Sequence, residues 1–175
     1  TQPMQVVGPT DRTGTVVTFK PDPEMFDVTA YSYDIIHTRM QQQAFLNAGL
    51  KISTFDKRQG REESDSMCYE GGIREYVTWL NQNKTTIQDD VIYMRGMKDD
   101  SSVEVALQYN DGYSETIVSF ANDVRTPEGG MHEEGFKRAL TTVLNAYGKK
   151  IKLLKEEEKV TGDDCREGLT VVLSV

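Results

Sequence analysis

The segment from residue 102 to residue 122, SVEVALQYNDGYSETIVSFAN, constrains the fold more than any other stretch of the chain. Two runs of strand-forming residues flank the dipeptide Asp111-Gly112, which is typical of a two-residue type I′ turn. Such a turn pairs Asn110 with Tyr113 and fixes the register of the hairpin behind it. The pairs predicted on one face are Leu107 with Thr116, Val105 with Val118 and Val103 with Phe120. We therefore expect one dry face, covered by helices.

Other segments supply the remaining elements. A β-branched run predicts a strand over 14–20, stopped by two prolines. Helical spacing predicts helices within 31–49, 70–84 and 131–148, and a cationic turn at 57–61 joins two strands into a hairpin. Thr161 and Asp164 have capping-box spacing before a short helix, which leads into the strand LTVVLSV. This order predicts an α+β fold, with a mixed β-sheet backed by helices on one face.

Composition limits the class of protein. A chain of 175 residues with 37% hydrophobic content suits one domain. Its net charge of −8 argues against binding nucleic acid by bulk charge. Cys68 and Cys165 lie far apart, as in a reduced cytosolic protein, and no apolar run reaches membrane-spanning length. Because the chain lacks an initiator methionine and stops within an apolar run, we expect it to be a piece of a longer polypeptide.

Residues 125–140, RTPEGGMHEEGFKRAL, place a histidine and two glutamates at the start of a helix. A zinc-protease helix needs a second histidine four residues after the first, and Phe136 occupies that position. His132 lies on the apolar edge of the helix, which favours capping or packing over catalysis. Two ion pairs with the acid first are expected along the helix, Glu133 with Lys137 and Glu134 with Arg138.

Motifs for other chemistries are missing from the sequence. It contains neither a phosphate-binding GxxxxGK[ST] loop nor a GxSxG nucleophile elbow. Asp163, Asp164 and Glu167 fit helix capping better than a magnesium site. We therefore predict no catalytic, cofactor-binding or metal-binding residue in these 175 positions. Two basic clusters are candidate phosphate contacts, although a solvated surface is the commoner role: Lys57, Arg58 and Arg61, and Lys149, Lys150, Lys152 and Lys155.

Six blocks, in this order and spacing, resemble the B-subunit family of bacterial DNA gyrase over nearly the whole chain. They are DRTGTVVTFKPDPEMF, AFLNAGLKISTFDKRQGRE, YEGGIREYVTWLN, VEVALQYNDGYSETIVSFAN, EGGMHEEGFKRALTTVLNAY and TGDDCREGLTVVLSV. The related ParE-type subunit of topoisomerase IV is also similar. The stretch YEGGI is more typical of the gyrase type.

The resemblance implies that residues 1–175 form a single transducer domain, with the fold of the second domain of a small-subunit ribosomal protein. The ATP-binding and DNA-gate domains would be absent, so the chain alone would be inactive. In the full-length protein the resemblance implies ATP and Mg²⁺ as cofactors, gyrase A and duplex DNA as partners, a B-subunit homodimer on ATP binding, and a cytoplasmic location without a membrane. Lys57, Arg58 and Arg61, or alternatively the lysines between Lys149 and Lys155, would border the DNA cavity. The loop at 126–131, with Gly129, Gly130 and His132, would contact the neighbouring domain.

Two functions of other classes remain as alternatives. The implied fold is shared with ribosomal proteins, so an RNA- or ribosome-binding module is one of them. A small hydrolase using His132 and Glu133 is the other. The acidic net charge counts against the first, and the missing nucleophile or second metal ligand counts against the second.

Overall fold

The computed structural model describes residues 3–175 and contains four helices and seven strands in that range. The helices are α1 (Tyr33–Leu46), α2 (Ile73–Leu80), α3 (Met131–Lys150) and α4 (Gly162–Arg166). The strands are β1 (Ile52–Asp56), β2 (Glu63–Met67), β3 (Ile92–Lys98), β4 (Ser101–Tyr109), β5 (Thr116–Ala121), β6 (Val124–Arg125) and β7 (Leu169–Ser174). The predicted helices, the hairpin β1–β2 and the Thr161–Asp164 capping box are confirmed.

The main sheet has five strands in the order β3-β4-β7-β5-β6, so the last strand of the chain lies at its centre. β7 is antiparallel to β4 and parallel to β5. The predicted pairing of β4 with β5 is therefore wrong, because Leu107 and Ile117 both pair with Val171 instead. β7 takes the central place because its residues 169–173 are almost completely apolar and all five are buried.

Left-handed turns occur elsewhere than predicted. Neither Asp111 nor Gly112 has a positive φ, so the predicted type I′ turn is absent there. The two-residue connection from β3 to β4 has positive φ at Asp99 and Asp100, and the β5–β6 connection has it at Asn122 and Asp123. Both connections have the backbone of type I′ hairpin turns without using a glycine.

Helices cover both faces of the sheet, and the expectation of helices on one face is wrong. On one face α1 and α2 contribute to the α2-side cluster of buried residues: Phe45, Ile73, Tyr76, Val77, Ala106, Val118, Phe120 and Val172. On the other, α3 packs Phe136 and Leu140 against the α3-side cluster: Val105, Leu107, Leu169, Val171 and Leu173. Since side chains alternate along a strand, apolar residues throughout β7 require a covering layer on each side.

Residues 3–32 contain no helix or strand, so the strand predicted over 14–20 is not formed. The side chains of Val16, Val17 and Phe19 are 93%, 77% and 73% exposed. β-branched residues favour an extended backbone, but a strand also needs a neighbour to pair with its backbone groups. None of the strands in the described chain pairs with this segment.

Candidate functional site

The start of α3 is anchored to β5 by a chain of hydrogen bonds. The Ser119 hydroxyl donates to Glu133 Oε2 over 2.9 Å and accepts from the Thr126 hydroxyl over 2.8 Å. His132 Nε2 lies 3.2 Å from Thr126 Oγ1. Because the Thr126 proton is already given to Ser119, Nε2 must carry the hydrogen and donate it. At the other end of the chain of contacts, Lys137 Nζ lies 2.7 Å from Glu133 Oε1.

This arrangement gives Glu133 a stabilised negative charge. Burial alone raises its pKa, but hydrogen bonds from Lys137 and Ser119 outweigh burial and the pKa lies below its usual value. A carboxylate held ionised by a cation and a hydroxyl is a poor proton acceptor. The Ser119 side chain is buried and already donates its proton, so it is not available as a nucleophile. The geometry therefore counts against the hydrolase hypothesis and supports a packing role for His132.

The two glycines before α3 have distinct roles. Gly129 has φ +72°, a left-handed conformation that glycine adopts without steric cost. Gly130 has φ +157°, and a Cβ atom there would lie 2.8 Å from His132 Cε1 and 2.9 Å from Nδ1. The imidazole therefore rests on the Gly130 backbone. This gives both glycines structural roles, while the contact with a neighbouring domain stays a prediction.

In the first basic cluster, Arg58 is held within the molecule. Its Nε lies 2.9 and 3.0 Å from the two carboxylate oxygens of Asp56, and Nη1 donates to the Tyr31 carbonyl over 2.8 Å. The hydrogen bonds from Arg58 lower the pKa of Asp56 to about 2. Lys57 and Arg61 are exposed and form no ion pair within residues 3–175. Two of these three cations therefore remain available to an external anion.

The second cluster is also partly neutralised. Lys149 Nζ bonds to the Glu156 carbonyl oxygen and lies 4.0 Å from its carboxylate, and Lys155 lies 3.5 Å from Glu158. Such exposed pairs are weak and screened by salt. Lys150 and Lys152 are exposed and unpaired in the described part of the chain.

The structure does not bring the two clusters together. The first lies in the β1–β2 hairpin, which contacts α1, and α1 belongs to the layer on the α2 side of the sheet. The second spans the C-terminal end of α3 and the residues just after it, and α3 packs on the opposite face. A single ligand patch containing both clusters is therefore not formed within this chain.

Sequence reasoning missed a buried polar network at one end of the sheet. Asn81 donates to Gln108 over 3.0 Å and accepts from Thr170 over 2.7 Å. Lys84 Nζ donates to the hydroxyls of Thr116 and Thr170 over 3.1 and 3.3 Å. The available signal was the presence of polar residues within otherwise apolar strands. The network joins the end of α2 to β4, β5 and β7.

Sequence reasoning also missed a cavity of about 570 Å³ between α1, β1 and the segment before α1. Its walls include Tyr33, Ile36 and Met40, which recur at three- and four-residue intervals along α1. That spacing marks one face of the helix, but it could not show that the face lines a cavity. Among residues 3–175, no group of three or more potential metal ligands is present, and no helix is long and apolar enough to cross a membrane.

Comparisons with known proteins match this architecture to one family. The family model for DNA gyrase B matches residues 72–175. The DNA gyrase B subunit of Streptococcus pneumoniae serotype 4 is 53% identical over 174 residues, which is 98% of this chain. The chain spans 27% of the length of that relative.

The solved structures similar to this chain include an ATPase domain and an ATP-binding domain. The crystal structure of the 43K ATPase domain of Thermus thermophilus gyrase B, in complex with an aminocoumarin, matches 90% of this chain and 43% of its own. The TM-score is 0.74 at 32% identity. The topoisomerase IV ATP-binding domain of Francisella tularensis matches with a TM-score of 0.68 at 20% identity, which shows a shared fold only.

Proposed function

The chain belongs to the DNA gyrase B family, and from this membership we propose that it is the transducer domain of an ATP-dependent type II DNA topoisomerase. Residues 1–175 would form this single domain, and the ATP-binding and DNA-gate domains would lie outside them. In the full-length protein the domain would relay the closure of two ATP-bound protomers to DNA strand passage and supercoiling.

The attachment of α3 to the sheet is the observation that carries this mechanical role. Near its start, Glu133 and His132 bond to Ser119 and Thr126, and farther along, Phe136 and Leu140 pack on the α3-side cluster. Displacing the helix would therefore displace the strands with it. β7, bonded to β4 on one side and β5 on the other, would carry the displacement through the sheet.

The proposed cofactors and partners belong to the full-length protein. These are ATP and Mg²⁺, gyrase A, duplex DNA and a second copy of the same chain, in the cytoplasm. We propose that the chain alone neither binds nor hydrolyses ATP. The predicted DNA contacts reduce to the members of the two clusters that form no ion pair within residues 3–175: Lys57, Arg61, Lys150 and Lys152. Charge reversal of the pair that borders the duplex, Lys57 with Arg61 or alternatively Lys150 with Lys152, should slow strand passage without weakening ATP binding. Unchanged rates in both variants, over a range of salt, would show that these four residues belong to the solvated surface.

A topoisomerase IV protein is the alternative within the same mechanism. The match to the Francisella tularensis domain supports it only at the level of fold. Assembly of the full-length protein with gyrase A distinguishes the two types. We expect negative supercoiling of relaxed plasmid, whereas decatenation without supercoiling would favour the alternative.

The test of the transducer role is to loosen α3 without touching a nucleotide site. The double variant Ser119→Ala with Glu133→Gln, placed in the full-length protein, should retain ATP hydrolysis. Supercoiling should fall roughly 2- to 30-fold, since changes along a coupling element alter the coupling free energy by about 0.5–2 kcal/mol. The measurements are ATP turnover and plasmid supercoiling on the same preparation, with thermal melts to verify folding.

Glu157→Gln is the matched control, because Glu157 is exposed and unpaired among the described residues. Its supercoiling should equal that of the wild type. If the double variant supercoils normally, or loses ATP turnover and supercoiling in equal proportion, the relay proposal is wrong. Calorimetric titration of the isolated chain with a non-hydrolysable ATP analogue should show no heat of binding.

A further inference from the structure

The side chain of Lys84 reaches from the loop after α2 to two neighbouring strands. Its Nζ donates to the Thr116 hydroxyl on β5 over 3.1 Å and to the Thr170 hydroxyl on β7 over 3.3 Å. Thr116 and Thr170 are direct partners in the register of this parallel pair of strands. One ammonium group therefore joins β5 to β7 at the position where their pairing begins.

Thr170 ties this contact to the interior of the molecule. Its side chain is completely buried, and its hydroxyl donates to Asn81 Oδ1 over 2.7 Å and accepts from Asn110 as well as from Lys84. A hydroxyl has one hydrogen to donate and two lone pairs, so all three positions are used. Asn81, at the end of α2, also donates to Gln108 on β4. Lys84 thus extends to β5 a network that already joins α2, β4 and β7.

β5 is held by a charged side chain on each of its faces. Because side chains alternate along a strand, Thr116 lies on the same face as Val118, which belongs to the α2-side cluster. Ser119 lies on the opposite face, where it donates to Glu133 of α3. A displacement of α3 therefore reaches β5 through Ser119, and Lys84 connects β5 onward to β7 and α2.

Backbone pairing alone makes β5 to β7 the weaker of the two connections of the central strand. Parallel strands have slanted hydrogen bonds and pair slightly less stably per residue than antiparallel ones. β5 is parallel to β7, whereas β4 is antiparallel to it. Hydrogen bonds from an ammonium group are roughly twice as strong as those between neutral groups. Since Lys84 bonds to both threonines at once, a shift of one strand along the other would lengthen one of these bonds.

We propose that Lys84 is a positioning residue of the relay, which makes β5, β7 and α2 move together when α3 is displaced. The inference rests on the proposed transducer role and adds a residue on the face of the sheet opposite the α3 attachment. In this role Lys84 acts through Thr116 and Thr170 and needs no contact with nucleotide or DNA. Loss of its ammonium group should therefore separate ATP turnover from strand passage and not reduce both together.

The test compares plasmid supercoiling with ATP turnover in the full-length protein assembled with gyrase A. Lys84→Met keeps an unbranched apolar side chain and removes the ammonium group. The number of supercoils introduced per ATP hydrolysed should fall roughly 2- to 30-fold, the range expected for a change along a coupling element. Lys98→Met, at an exposed lysine on the edge strand β3, should leave this ratio unchanged. Thermal melts verify that each variant is folded.

Variants of Thr116 test whether Lys84 acts through β5. Thr116→Val keeps the β-branched shape and removes the hydroxyl, so it should lower the same ratio at least about 2-fold. Combined with Lys84→Met it should add little, because both substitutions break the same contact. Thr116→Ser retains the hydroxyl and should keep the wild-type ratio. If Lys84→Met does not fold, Thr116→Val and Thr116→Ser decide the matter, since Thr116 is only partly buried at the start of its strand.

Three results would overturn the proposal: a normal ratio in folded Lys84→Met, an equal loss of ATP turnover and supercoiling, or fully additive effects of Lys84→Met and Thr116→Val. The relay is judged separately by Ser119→Ala with Glu133→Gln. If that double variant loses coupling while Lys84→Met keeps it, the transducer role stands and the role of Lys84 is wrong. Normal coupling in both would contradict the relay and the role of Lys84 together.

Discussion

Glu133 has the most consequential contacts of any single residue in the proposed relay. Its side chain is 14% exposed and reaches Ser119 on β5 and Lys137 on its own helix. The side chain of Glu134, the next residue, is 55% exposed and lies 3.6 Å from Lys137, its one ion-pair partner within residues 3–175. Removing the charge from these neighbours should therefore have very different effects. A glutamine at position 133 keeps one acceptor oxygen in place of two, so either the shielded Lys137 or the Ser119 hydroxyl loses its partner.

Glu133→Gln should lower the free energy of unfolding by about 1–3 kcal/mol at pH 7. The folded-state pKa of Glu133 is depressed, so its stabilisation is present above the unfolded value near 4.5 and is lost as pH falls through the folded pKa. The difference in free energy of unfolding between wild type and variant should thus shrink as the pH is lowered below 4.5. Urea denaturation at a series of pH values measures it. Glu134→Gln should change stability by about 0.5 kcal/mol or less, and a pH-independent deficit in Glu133→Gln would contradict the assignment.

The sequence predicted only part of this environment. Four-residue spacing predicted the pair Glu133–Lys137, which is confirmed, whereas Glu134 pairs with Lys137 and not with Arg138 as predicted. Spacing within a helix reveals partners one turn away. Ser119 lies in another element, and nothing local in the sequence identifies it as a ligand of Glu133.

Among the elements, the two short hairpin connections show that turn type depends on strand pairing as well as on the residues in the turn. Asp-Gly at 111–112 predicted a left-handed turn, but the left-handed residues are Asp99, Asp100, Asn122 and Asp123. A type I′ turn forms only where the strands on both sides pair with each other. β4 and β5 each pair with β7, so the residues between them have no reason to turn tightly. Long-range pairing of this kind cannot be read from one segment.

The β3–β4 connection gives a test at this scale. Asp100 has φ +62°, which costs most side chains about 1–2 kcal/mol and glycine almost nothing. Asp100→Gly should therefore raise the free energy of unfolding by about 0.5–1 kcal/mol, and Asp100→Val should lower it by about 1–2 kcal/mol. Chemical denaturation measures both. Asp90 is an exposed loop residue without positive φ. There the Gly and Val variants should not differ in free energy of unfolding in this way. Equal stability of the two Asp100 variants would mean that the turn is not left-handed in solution.

For the molecule as a whole, the two ends of the chain contribute very unequally. Every hydrogen bond made by residues 3–28 within the described structure is to another residue of that segment. Residues 169–173, in contrast, are buried and join β4 to β5. Local sequence patterns predicted a strand at each end, over 14–20 and in LTVVLSV. Such patterns do not show whether a partner strand is present to pair with either segment.

Two truncations measure this inequality. Deleting residues 1–28 should change the melting temperature by about 2 °C or less, because no buried contact is lost. Deleting residues 169–175 should abolish cooperative unfolding, since it removes the central strand from both buried clusters. Thermal melts followed by circular dichroism compare the two. A cooperative transition in the chain without 169–175 would show that β4 and β5 can close the gap themselves.

The central position of β7 also affects the order in which the sheet can form during translation. Residues 122–168 separate β5 from β7, so β4 and β5 emerge from the ribosome well before β7 does, and no other strand in the described chain takes the place between them. At about 5–20 residues per second, the nascent chain waits roughly 2–10 s with two unpaired strand edges and their apolar side chains open to water. During that interval the half-made sheet is a substrate for chaperones and for other nascent chains. The pace of translation between the emergence of β5 and that of β7 thus determines how long the chain is exposed to misassembly.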